Sequence, residues 1–231
     1  MNETRDASSL ARLLDHSVLK PESTEADIIT GVDVVRALGI GYYCVQPGWV
    51  KLASDALSES NATIVSVVGF PHGCDVARTK ALAAELAAAD GAREIDMVID
   101  IGALKSGYPR YLDAVRNDVD GVVRAVPGCA VKVIIEAAAL TDAEKRLACR
   151  LAVDAGAAFV KTSTGFHPAG GAAASDVRLM RECVGPNVGV KASGGVRTLV
   201  DVETMLAAGA NRIGTSASGV ILAAIDRKSV V

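Results

Sequence analysis

Two spacings of apolar residues alternate along this chain of 231 residues. Short stretches rich in β-branched residues, alternating in polarity or apolar throughout, predict strands at 42–45, 63–70, 94–101, 131–136, 159–165, 188–195 and 212–216. An earlier stretch, 15–21, carries a polar cluster onto a strand or its exit and is stopped by Pro21. Between them lie segments with the 3.6-residue period of helices. These are a short lead-in at 8–14, then 24–38 ending at Gly39, 48–60, and an alanine-rich helix capped by Asp75 and ending at Gly91. Residues 105–126 follow, then a helix opened by the Thr141–Glu144 capping box and closed by Gly156. A glycine-rich loop through Gly170 and Gly171 leads to a helix ending at Gly185, Thr198 caps one ending at Gly209, and a last helix runs toward Asp226.

The result is eight strand-then-helix units of about 30 residues, with no break in composition, which implies parallel strands and a single domain over 1–231. The fold expected is α/β, a (β/α)8 TIM barrel with a short N-terminal helix; the alternative is an open, doubly wound sheet. Polar residues separate the two. By the two-residue period, Asp15, Cys44, Asp96, Lys132, Lys161 and Lys191 face the interior from separate strands, and such convergence requires a closed barrel.

Bulk properties narrow the chemistry. Half the residues are hydrophobic, 3% are aromatic and the formal net charge is −3, so there is neither a basic footprint nor a stacking platform for nucleic acid. No stretch approaches the ~18 uninterrupted apolar residues of a membrane span, and residues 1–12 lack a basic region followed by an apolar one. Cys44, Cys74, Cys129, Cys149 and Cys183 are odd in number and scattered, as expected of free thiols in a reducing cytoplasm. His16, His72 and His167 show no metal-ligand spacing, so no metal is expected.

The candidate chemistry centres on Lys161. A buried ammonium loses hydration, which lowers its pKa and favours the neutral amine that attacks carbonyls. The other reading is a structural ion pair with an interior carboxylate, or a lysine that ends its strand in solvent. Lys191 lies on the adjacent strand at comparable depth, and two ammonium groups close together in a dry site drive one toward the free amine; spacing does not say which. Asp96, two strands away, could relay protons or be a structural partner of Lys132 or Lys191. Gly194–Gly195 and Gly214–Ser216 follow the last two strands, with Arg197 adjacent, where barrels of this type often hold phosphate.

Asp15-His16-Ser17-Val18-Leu19-Lys20-Pro21, Cys44-Val45-Gln46-Pro47, Val68-Gly69-Phe70-Pro71, Glu94-Ile95-Asp96-Met97-Val98-Ile99 and the stretches 131–136, 160–166 and 190–198 together resemble the deoxyribose-phosphate aldolase family. The resemblance covers almost the whole chain. It implies reversible cleavage of 2-deoxy-D-ribose 5-phosphate to acetaldehyde and D-glyceraldehyde 3-phosphate, with neither metal nor organic cofactor. It implies Lys161 as the Schiff-base residue, Lys191 as its perturbing neighbour and Asp96 as proton relay. It further implies Asp15 at substrate hydroxyls, Cys44 lining the pocket, Lys132 in the proton network and Thr164 among the substrate-binding residues. Phosphate would lie against Gly165, Gly194, Gly195, Arg197, Gly214 and Ser216. A cytoplasmic homodimer or larger homo-oligomer is the matching expectation. Two departures stand out: Asp100, where the family commonly has Asn, and Ala137-Ala138, where a polar or thiol residue is common. The rivals are a Schiff-base aldolase for another phosphorylated sugar and a non-catalytic barrel that binds sugar phosphates.

Overall fold

In the computed structural model, which describes residues 6–228, eight parallel strands close on themselves in chain order. They are β1 (Leu14–Val18), β2 (Tyr42–Val45), β3 (Thr63–Val68), β4 (Glu94–Val98), β5 (Ala130–Ile134), β6 (Phe159–Lys161), β7 (Gly189–Ser193) and β8 (Arg212–Thr215). Around them run α1 (Ala7–Ala11), α2 (Glu25–Leu38), α3 (Val50–Ala56), α4 (Ala77–Ala89), α5 (Ile101–Ser106), α6 (Pro109–Ala125), α7 (Asp142–Asp154), α8 (Ala174–Val184), α9 (Leu199–Ala207) and α10 (Ser218–Lys228). The ends of the 1–231 span, and with them the reading of the first five residues, lie outside the described residues. Among the described residues no helix is long and apolar enough to cross a membrane.

The strand period sorts side chains into two environments. Outward residues such as Tyr43, Ile95, Met97, Val131, Val133, Val160, Val190 and Ile213 join the helices in one continuous apolar layer. At roughly 1.5–3 kcal/mol for each large aliphatic side chain taken from water, this layer is the main stabilising element. The inward residues differ. A separate small cluster of Leu19, Cys44, Val65 and Val67, with Tyr42 and Phe70 packed on it, lines one side of the interior. The other side carries buried charge: Asp15, Glu94, Asp96, Lys132, Lys161, Lys191 and Arg212. The open sheet is thereby excluded.

Helix ends follow their local chemistry. Thr24, Thr141 and Thr198 each make the two-way capping box, and Gly39 ends α2 at φ 61°, in the left-handed region. Several predicted boundaries shift. The strand expected at 94–101 stops at Val98, because Asp100 accepts a hydrogen bond from the Ala103 N–H (2.9 Å) and starts α5. An aspartate does that as well as an asparagine, which accounts for one departure from the family pattern. The helix expected at 105–126 divides at Gly107 (φ 70°) and resumes with Pro109 in its first turn. Asp75 does not cap α4; Val76 holds that position and supplies no side-chain hydrogen bond. The helix expected at 48–60 is a 3-10 turn, Pro47–Trp49, followed by the two turns of α3. The β5 strand ends before Glu136, which turns out of the ladder.

Candidate active site

Register places the charged groups at common depths. Lys161 pairs with Lys191 across β6 and β7, Asp96 with Lys132 across β4 and β5, and Asp15 with Gly214 across β1 and β8. Asp96 is the hub. Its Oδ2 accepts from Lys161 Nζ at 2.7 Å and from Lys191 Nζ at 2.8 Å, while Oδ1 accepts from Lys132 Nζ at 2.8 Å. Lys191 also donates to Asp15 Oδ2. Beneath these, Arg212 reaches Asp15 Oδ1 (3.2 Å) and Glu94 (2.9 and 3.3 Å), and Lys132 reaches Glu94 at 2.6 Å. The Arg212 guanidinium lies 3.2 Å from the Tyr42 ring centroid, which closes the floor of the barrel with a cation–π contact.

Charge within this network is not balanced. Lys132, Lys161, Lys191 and Arg212 face Asp15, Glu94 and Asp96, so one basic group is in excess. Lys132, Lys191 and Arg212 each contact at least two carboxylates, whereas Lys161 contacts Asp96 alone. Burial lowers the Lys161 pKa; Asp96 pulls it back, Lys191 lowers it further, and the balance lies below the ordinary lysine range. Burial also opposes charge on Lys191, but Asp15 and Asp96 more than offset it and hold that ammonium above its ordinary range. The choice that spacing left open falls on Lys161 as the group inclined to lose its proton. Burial raises Asp96, and Lys132, Lys161 and Lys191 outweigh it, keeping the carboxyl well below the usual value. Asp15 is likewise lowered on balance, burial being outweighed by Lys191, Lys132 and Arg212.

The structure brings Lys161, Lys191, Asp96, Asp15 and Lys132 into one cluster, with Cys44 on the apolar wall beside it. Burial pushes the Cys44 thiol up to about 11, so at neutral pH it is a small protonated wall residue. Asp15, expected at substrate hydroxyls, has no exposed surface, and both its oxygens are engaged by Lys191 and Arg212. Thr164 is held by Glu136, whose Oε2 accepts from its hydroxyl at 2.6 Å and its N–H at 3.2 Å. Gly165 and Gly194 approach closely: a Cβ on Gly194 would stand 3.3 Å from the Gly165 Cα and 3.1 Å from the Gly171 Cα. Gly195, Arg197 and Ser216 are exposed in the loops beyond β7 and β8. Gly214 lies deeper, where a Cβ would stand 3.1 Å from Lys191 Cε and 2.9 Å from Ser193 Cβ; its missing side chain makes room for the lysine.

Two surface cavities of about 580 and 600 Å³ are lined by none of Lys161, Lys191 and Asp96. One lies at the starts of β2 and β3 and the other between α2 and α10, both apart from the buried charged cluster.

Comparison with known proteins bears on the same residues. A model of the DeoC/LacD family of aldolases matches residues 9–223. The chain belongs to this family. It is 52% identical over 210 residues to the deoxyribose-phosphate aldolase of Bacillus subtilis strain 168, covering 90% of this chain and 92% of that protein. It is 50% identical over 215 residues to the one of Bacillus mycoides strain KBAB4, covering 93% and 95%. Among solved structures, the tetrameric deoxyribose phosphate aldolase of Aeropyrum pernix superposes with a TM-score of 0.87 at 32% identity, covering 98% of this chain and 94% of that one.

Three residues of this DeoC/LacD family site were not among the sequence candidates. Glu94 and Arg212 share the inward parity of Asp96 and Gly214 on their own strands, and that signal was present in the period-two pattern. Glu136 shares the parity of Lys132 four residues earlier, but parity does not show its contact with Thr164, which it reaches by turning out of the strand.

Proposed function

We propose that this aldolase reversibly cleaves 2-deoxy-D-ribose 5-phosphate to acetaldehyde and D-glyceraldehyde 3-phosphate through a Schiff base on Lys161. The observation that carries the reading is the Asp96 carboxylate bridging Lys161 and Lys191, in a cluster with one basic group in excess. The two named Bacillus deoxyribose-phosphate aldolases, at half identity across nearly their whole length, supply the substrate.

In the proposed sequence, neutral Lys161 Nζ attacks the aldehyde carbon of the open-chain sugar. The carbonyl oxygen takes a proton, and the nitrogen loses one, giving a carbinolamine. Water leaves, carrying a second proton delivered through the Asp96–Lys191 pair, and an iminium remains. Removal of the proton from the hydroxyl on the third carbon breaks the bond between the second and third carbons. Its electron pair moves onto the iminium nitrogen and D-glyceraldehyde 3-phosphate departs. The enamine left on Lys161 is protonated on carbon, and water hydrolyses the new iminium to acetaldehyde and the free amine. Lys191 stays cationic throughout and stabilises each oxyanion that forms; Asp96 accepts and returns protons.

Asp15 keeps Lys191 charged, and Lys132 couples Asp96 to Glu94 below. Leu19, Cys44, Val65, Val67 and Phe70 form an apolar wall suited to a two-carbon fragment. Gly165, Gly194, Gly195, Arg197 and Ser216 hold the phosphate, with Thr164 at the substrate and Gly214 as the glycine that admits Lys191. No metal or organic cofactor enters these steps. We place the enzyme in the cytoplasm, as its free thiols suggest, and as a homo-oligomer, as the Aeropyrum pernix enzyme is. Incubation with 2-deoxyribose 5-phosphate and, separately, with fructose 1,6-bisphosphate tests the substrate. Release of acetaldehyde from the first with little turnover of the second is expected, and the reverse order would transfer the proposal to another phosphorylated sugar.

A further inference from the structure

Glu136 is, among the described residues, the one non-glycine with a left-handed backbone (φ 54°, ψ 59°). A glutamate gains nothing locally from that conformation, which favours glycine and is tolerated by asparagine, so the surroundings must impose it. Its side chain is buried at 1% exposure and makes no ion pair; Oε2 takes both Thr164 donors, and Oε1 has no protein partner. On either side of it, the Ile135 N–H donates to Lys161 O at 3.0 Å and the Ala137 N–H to Thr162 O at 2.8 Å. Three consecutive residues after β5 therefore grip the segment that begins at Lys161. The ordinary strand ladder ends at Lys161 itself, so beyond it the segment is held by Glu136 and Ala137 on one flank. On the other flank Thr162 Oγ1 exchanges hydrogen bonds with Ser193 N and O, both at 3.0 Å.

We infer that Glu136 is a positioning residue: its left-handed turn and its grip on Thr164 fix the 162–165 segment, and through it the direction in which Lys161 meets the substrate carbonyl. The inference rests on the Schiff-base reading of Lys161. Glu136 is not placed on the reacting atoms and acts through the backbone that follows the nucleophile. A buried side-chain oxygen without a protein partner is costly to keep, and a residue serving only the turn would be better as glycine.

The test compares Glu136→Gly, Glu136→Gln and Lys161→Met in the full chain, measuring kcat and KM for 2-deoxyribose 5-phosphate cleavage and Tm. Glycine suits the backbone but removes the grip on Thr164. A small misalignment of reacting groups costs on the order of a hundredfold, so Glu136→Gly should lower kcat by about that factor with KM changed far less and Tm kept. Glu136→Gln retains an acceptor for Thr164 and should restore at least about tenfold of the loss. Glu136→Gly with wild-type kcat would overturn the inference, as would equal losses in the glycine and glutamine variants. Lys161→Met separates the two readings: turnover retained in that variant removes the Schiff base, and the positioning role with it, whereas an inactive Lys161→Met beside a fully active Glu136→Gly removes the positioning role alone.

Discussion

A lysine beside a carboxylate would ordinarily be held charged, so the reactivity of Lys161 depends on how the charge of Asp96 is shared. Asp96 divides one oxygen between Lys161 and Lys191, and Asp15 completes the satisfaction of Lys191. Replacing Lys191 with methionine removes the like charge and leaves Asp96 Oδ2 to Lys161, with Oδ1 still held by Lys132. The Lys161 pKa should then rise, and the ascending limb of the kcat/KM pH profile should move to higher pH by about one unit or more. Turnover at neutral pH should fall by about a hundredfold or more. Two buried carboxylates would also lose a partner, at a cost of about 3–5 kcal/mol measurable by urea unfolding. Cys44 gives a second prediction at this scale. With its thiol pushed up to about 11 by burial, it should resist iodoacetamide at neutral pH while exposed Cys74 is modified, as peptide mass spectrometry would show.

At the scale of elements, the site depends on where strands stop. β6 has three residues, and the backbone beyond Lys161 is passed to the turn after β5 and to the end of β7. Gly214 on β8 leaves space for the Lys191 stem; Gly214→Ala should push the lysine aside, cutting kcat and costing about 1–3 kcal/mol by overpacking. Caps away from the site should behave differently. Thr141→Ala removes the capping box of α7 and should cost about 1 kcal/mol with kcat unchanged. Element positions were largely legible because strands and helices differ in period and glycines end several of the helices. Their ends were less so. Asp100 looks like a strand residue by alternation, yet its carboxylate meets the Ala103 N–H and begins a helix. Thr198 has Asp201 three residues on to complete its box, whereas Asp75 has Arg78 at that spacing and does not cap.

For the molecule as a whole, closure of the barrel turns a list of inward residues into a site. Period-two parity was enough to gather Asp15, Asp96, Lys132, Lys161 and Lys191, in which three lysines already exceed two carboxylates by one cation; Glu94 and Arg212 at the floor add one charge of each sign and leave that excess unchanged. Parity put Glu136 on the face of Lys132, but its contact with Thr164 was illegible because that contact depends on a turn out of the strand. Since the Asp15 and Asp96 carboxyls are lowered in the folded state, the unfolded chain binds more protons once pH falls below the ordinary carboxylate value near ~3.9. Stability should be fully present above that pH and be lost as pH drops through the folded values, which acid titration followed by circular dichroism would detect. The central claim is that one amine, that of Lys161, carries the covalent intermediate. Borohydride reduction in the presence of acetaldehyde, followed by peptide mapping, tests it most directly: a two-carbon adduct on Lys161 is expected, and an adduct mainly on Lys191 would contradict the account.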